Sequence, residues 1–89
     1  MSRTVHAKHH LTRIKSMHCV ICDAYPPCDA HHIRTGQGMS QRANDYLAIP
    51  LCKECHQGKN GIHGDRALWK VYRMTELDAL AETIARLTT

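Results

Sequence analysis

Two Cys-x-x-Cys pairs, Cys19/Cys22 and Cys52/Cys55, bracket the adjacent histidines His31 and His32, and His56 and His63 follow the second pair. Thiolates at that spacing are soft ligands with the right bite for tetrahedral zinc, and two such pairs complete one four-coordinate site. The imidazoles call for a separate account. A patch of them beside a closed thiolate site suggests a second cation with a different job: the first metal holds the chain together and the second does chemistry. Any one of these histidines could be structural, but four flanking one zinc framework are hard to assign to packing alone. The fifth cysteine, Cys28, is read as a buried inert thiol, with exchange for a knuckle ligand as the alternative.

The size of the chain makes a structural metal useful. Its 89 residues allow one domain, with no Phe, one Trp and three Tyr to build a core. Chains this short bury a smaller share of their surface and often need a metal or disulfides. An odd number of cysteines argues against a disulfide framework. The opening Met1-Ser2-Arg3-Thr4 has no apolar h-region, and no apolar run approaches a membrane span. The expectation is a cytoplasmic protein with no membrane partner, in which paired cysteines read as zinc before they read as disulfides.

Charge is concentrated at one end. The formal net charge is +4, and residues 1–22 supply it through Arg3, Lys8, Arg13 and Lys15, with no acid before Asp23. Beyond that point eight basic residues balance eight acidic ones. His6, His9, His10 and His18 add donors to the same segment. A basic arm over residues 1–17 on a neutral body, residues 18–89, suggests contact with a phosphate backbone. A solvated tail would have the same composition. A four-thiolate zinc site would add negative charge to the body and make the basic arm and a second metal more necessary.

These residues need elements to position them. Residues 1–10 read as a polar arm, and Leu11 to Met17 as either a short helix or an extended lead-in. Cys19-Val20-Ile21-Cys22-Asp23 reads as a knuckle whose backbone amides point at sulfur, and Tyr25-Pro26-Pro27 as a rigid link. Ala30 to Arg34 is short enough for a strand, broken by Thr35-Gly36-Gln37-Gly38 and a polar loop to about Asp45. Tyr46 to Leu51 forms a second strand, with Pro50 near its end. On an ideal strand His31 and His32 face opposite ways, so they share one site only if the strand ends or twists there. The second knuckle should lead into a short helix stopped near Gly58 to Gly61. Asp65 is a candidate N-cap for a helix over Arg66 to Arg73, with Leu68 and Val71/Tyr72 on one side. Thr75-Glu76-Leu77-Asp78 resembles a capping box opening a last helix within about 65–87. There Leu77, Leu80, Ala81, Ile84 and Leu87 form an apolar stripe expected to pack on the core, with a dimer surface as the lesser alternative. The fold class is small α+β.

Ala30-His31-His32-Ile33, a Gly-containing loop, Leu47-Ala48-Ile49-Pro50-Leu51-Cys52-Lys53-Glu54-Cys55-His56 and a downstream His resemble an HNH endonuclease of the zinc-knuckle type. Ala30 to Gly36, Asp45 to Cys52 and Gly61-Ile62-His63-Gly64 further resemble the Ref type, a phage recombination-enhancement nuclease that acts with RecA. The resemblance covers about Cys19 to Trp69. It implies a ββα-metal (His-Me finger) core with a structural four-cysteine zinc site and C-terminal helices, DNA as substrate, a bacterial host cell and a RecA filament as a possible partner. It puts His31 at the first metal-ligand position, His32 at the general base and His56 at the ligand that opens the metal helix. The last ligand is His63, with Asn60 as the alternative. The family's orienting Asn falls by spacing on Leu47, which cannot serve, so Asp45 or Asn44 substitutes, Asp45 preferred because a carboxylate can fix the imidazole tautomer.

Such a site would hydrolyse phosphodiesters. An imidazole has its ordinary pKa near working pH and suits a base that takes a proton from water. The catalytic cation is Mg, Mn, Zn or Ni; three imidazole ligands favour a transition metal, and magnesium would have to keep water ligands. Arg34, directly after the cluster, joins Arg3, Lys8, Arg13 and Lys15 as a candidate DNA contact, though a solvated arginine reads the same way. The alternative function is a non-catalytic zinc-binding nucleic-acid adaptor.

Overall fold

The computed structural model describes residues 4–38, 43–58 and 67–88. The first element is a helix. Thr4 caps α1 (Val5–Lys15) by accepting from the Ala7 amide at 3.1 Å, and Arg13 and Lys15 occupy its last turn, where cations suit the helix dipole. Ala7, Leu11 and Ile14 recur at helical spacing and are buried, which seats α1 against both strands. The segment read as a basic arm is therefore, over residues 5–15, a docked helix. Its apolar stripe is three residues wide and hidden by the lysines, arginines and histidines around it.

A two-stranded antiparallel sheet follows, β1 (Asp29–His32) and β2 (Ala48–Leu51), with His31 opposite Ile49 and His32 opposite Ala48. Both strands are shorter than the expected 30–34 and 46–51. Ile33 continues the pairing by one bond, its amide donating to the Leu47 carbonyl at 2.9 Å. The break after β1 is a tight turn in which the Gln37 amide bonds the Arg34 carbonyl and Gly36 takes φ 81°, a conformation glycine adopts without strain.

The first knuckle is tied to this sheet. The Val20 amide donates to the Pro50 carbonyl at 2.9 Å, while Cys19 and Asp23 close the turn on themselves. The second knuckle runs into α2 (Lys53–Gln57), where Cys52 is the N-cap and its Sγ accepts from the Cys55 amide. Gly58 stops the helix. A Cβ there would sit 2.5 Å from the Glu54 carbonyl oxygen, so the close return of the chain requires glycine.

The C-terminal part is helical, as expected, but phased differently. The proposed N-cap Asp65 lies outside the described residues; α3 (Ala67–Val71) is described, with Leu68 and Trp69 partly buried against the core and Val71 and Tyr72 exposed. The capping box of α4 (Glu76–Leu87) is present in full: Thr75 Oγ1 accepts from the Asp78 amide, and Asp78 Oδ2 accepts from the Thr75 amide. Its buried residues, however, are Ala79 and Thr83, with Leu80 partly buried, whereas Leu77 and Ile84 are 52% and 48% exposed. The helix lies on β2 through small side chains, and Thr83 Oγ1 satisfies itself on the Ala79 carbonyl at 2.8 Å. The core centres on Cys19, Val20, Ile33, Ile49 and Leu51, between the knuckles and the sheet.

Candidate functional site

Cys19, Cys22, Cys52 and Cys55 come together with their sulfurs all within 4.8 Å of one another. Cys22 Sγ and Cys52 Sγ are 3.6 Å apart. Zinc–sulfur bonds of ~2.3 Å in a tetrahedron give sulfur separations of roughly 3.8 Å, so the cluster can hold a structural zinc ion. Burial raises the Cys19 thiol's pKa, but the backbone amides of Cys22, Cys52 and Ile21 outweigh it and hold the group below its ordinary value. Burial pushes Cys22 and Cys55 up. Cys28 stands apart from the ligand set, buried, with its pKa raised to about 11 chiefly by burial and then by the knuckle sulfurs.

Three of the candidate histidines, His31, His32 and His56, are each held by a carboxylate. Asp29 and His31 share one face of β1, and His56 approaches that face from α2. His56 Nδ1 lies 3.0 Å from Asp29 Oδ2, and the His31 and His56 rings are 5.2 Å apart at an interplanar angle of 71°. His31 Nε2 lies 2.8 Å from Glu76 Oε2, with both side chains nearly inaccessible. The other Glu76 oxygen accepts from the Arg34 amide and from the Thr35 amide and hydroxyl, so this one side chain joins the start of α4 to the end of β1. Burial raises the Glu76 pKa, but its bonds from His31, Thr35 and Arg34 outweigh that and hold it below the ordinary carboxylate value.

His32 takes the opposite face. Its Nε2 lies 2.8 Å from Oδ1 of the buried Asp45. The residues proposed as base and orienting group are thus brought together, while His31 and His56 meet on the other side of the strand. Asn44, the alternative to Asp45, instead accepts from the Tyr46 amide. His63 and Asn60 lie outside the described residues, as does Arg3. Among the described residues the cysteines are the one group arranged as a metal site. Of the remaining basic candidates, Lys8 and Lys15 are exposed on α1, Arg34 lies at the turn after β1, and Arg13 Nη2 donates to the Leu87 carbonyl at 3.4 Å, fastening α1 to the end of α4.

Sequence reasoning alone misses Asp29 and Glu76. The available signal for Asp29 is its position two residues before His31, on the same strand face. For Glu76 it is the carboxylate in the first turn of a capped helix, but nothing local to residue 76 says that the helix begins beside His31.

A small α+β domain with a four-cysteine cluster is what the geometry defines. The chain belongs to the family described as "Protein of unknown function (DUF968)", whose model matches residues 2–87. No curated protein and no solved structure matches it. No helix among the described residues is long and apolar enough to cross a membrane.

Proposed function

We propose that this chain is a metal-dependent DNA endonuclease of the HNH type, with a ββα-metal core formed by β1, β2 and α2 and a structural zinc on the four cysteines. The observation that carries the reading is the set of three imidazole–carboxylate pairs, His31–Glu76, His56–Asp29 and His32–Asp45, whose histidines lie on β1 and α2 and whose carboxylates come from β1, the loop before β2 and the start of α4. A histidine whose second nitrogen is held by a carboxylate has its tautomer and orientation fixed, which is how metal-binding and proton-accepting imidazoles are prepared.

His31, His56 and His63, or Asn60 in place of His63, would hold the catalytic cation, which when bound supplies Lewis acidity toward the scissile phosphate and its leaving 3′ oxygen. With Nε2–H given to Glu76, His31 would ligate through Nδ1; with Nδ1–H given to Asp29, His56 would ligate through Nε2. β1 ends at His32, the condition under which it and His31 can serve one phosphate; with Nε2–H given to Asp45, His32 would carry its basic lone pair on Nδ1 and accept the proton of the attacking water there. Asp45 then stabilises the imidazolium that results. Targeting by a RecA–DNA filament and a phage or prophage origin belong to the same proposal, through the resemblance to the Ref type.

A plasmid-nicking assay with Mg²⁺ or Mn²⁺, run beside His32→Ala, tests it. Nicking should be lost in the variant while metal content and melting temperature hold; full activity would remove His32 as the base. A non-catalytic zinc-binding nucleic-acid adaptor is favoured by one observation, that a carboxylate bond is also a sufficient structural role for each imidazole. That reading predicts binding without nicking in the wild-type chain.

A further inference from the structure

The carboxyl-terminal helices and the turn after β1 enclose a cleft of about 820 Å³ with His31 in its wall. Arg34, Lys70 and Arg73 line it, and Trp69 gives it an aromatic side. Two acids also reach it, Glu76 and Asp78, but both are committed internally. Glu76 accepts from His31, Arg34 and Thr35, and Asp78 closes the capping box on the Thr75 amide. Among the described residues neither Lys70 nor Arg73 forms an ion pair, and both are exposed. Three basic side chains against two acidic ones leave the cleft a formal charge of +1, although residues 23–89 are neutral by count.

Arg73 supplies a second, independent observation. It ends α3 in a paired turn, with the Met74 amide on the Trp69 carbonyl and the Arg73 amide on the Lys70 carbonyl. That is the Schellman closure, and its left-handed position is ordinarily glycine. Here an arginine holds φ 53°. Glycine would serve the turn with less strain, so the fold gives no reason for the side chain, whereas the cleft does.

We infer that this cleft is the binding groove for a DNA strand: Lys70 and Arg73, with Arg34, bind consecutive phosphates, and Trp69 offers its ring to a base, leading the backbone past His31. The inference rests on the nuclease reading for its substrate, and it moves the principal DNA contact from the amino-terminal segment to the surface between α3 and α4. Arginine and lysine contacts to phosphate release counterions, so each contact contributes to the salt dependence of binding, and stacking on an aromatic ring tolerates any base.

The test uses the full zinc-loaded chain and fluorescence anisotropy of a labelled oligonucleotide, single-stranded and duplex, titrated across salt concentrations. Lys70→Ala and Arg73→Gly should each weaken binding and lower the magnitude of the log–log salt slope by about 0.7 on single strands or about 0.9 on duplex. Arg86→Ala, on the far end of α4, should leave it unchanged. Arg73→Gly should also keep or raise the melting temperature; a fall would show that the side chain serves the fold and would overturn its role here. An unchanged slope in both variants, with nicking intact, overturns the groove and leaves the nuclease standing. Absence of DNA binding by the wild-type chain removes both.

Discussion

The thiolate cluster and the histidine cluster lie within one small domain, but they are built in opposite ways. Each knuckle delivers two ligands from a tetrapeptide, so half the geometry of the zinc site is local. The histidine cluster has no such unit. Its imidazoles are held by carboxylates 45, 13 and 27 residues away along the chain, and every one of those pairs exists only because separate elements have docked. A ligand set carried by local turns can form early and nucleate a fold. A set assembled from a strand, a loop and two helices can only report that the fold is complete.

The sharpest way to break this comparison is to remove the local unit. Cys52→Ser should abolish the cooperative thermal transition and zinc retention together, because structural zinc in small domains contributes on the order of 10 kcal/mol, comparable with the whole stability of such a domain. Elemental analysis and a melting curve check it. If the variant melts cooperatively with His32–Asp45 intact, the histidine cluster does not depend on the thiolates. A smaller effect is expected at the non-local unit. Glu76→Gln keeps the shape but loses one charged acceptor shared by His31, Thr35 and Arg34, at a cost of roughly 1–3 kcal/mol. For a domain of this size that lowers the melting temperature by several degrees, with zinc retained. A variant as stable as the wild type would show that Glu76 does not anchor α4.

The smallest effect concerns the cysteine outside both sets. With its pKa raised to about 11 and its side chain buried, Cys28 should stay unlabelled by iodoacetamide at pH 8, where an ordinary thiol is partly ionised. Labelling should rise with pH without levelling below about 11. Peptide mass spectrometry reads this directly. Rapid labelling of Cys28 at pH 8 would place it among the exchangeable ligands.

What the sequence makes legible follows the same division. The four cysteines, the helix after Cys52 with its stop at Gly58, and the Thr75/Asp78 capping box are all local patterns, and all are present. The phase of α4 is not legible in that way. Two of its large apolar residues, Leu77 and Ile84, face outward, because the core beneath is already filled by Ile49 and Leu51 and the helix approaches on Ala79 and Thr83. The docking of α1 is obscured for the converse reason, since Ala7, Leu11 and Ile14 are few among charged neighbours and only their spacing reveals the face. Asp29 and Glu76 need the tertiary fold to acquire partners.

Pro50 carries one more consequence. A two-stranded sheet exposes two ladders of backbone groups, and in a domain with so little core either could recruit a strand from another molecule. On β2 the residue at the middle of the run has no amide hydrogen to offer, and its carbonyl is already taken by Val20. The same hydrogen bond that fastens the first knuckle to the hairpin thus blocks the β2 edge at Pro50. Cysteine cluster and β2 edge are tied together, and a chain whose first knuckle came loose would be expected to expose an adhesive strand as it lost its shape.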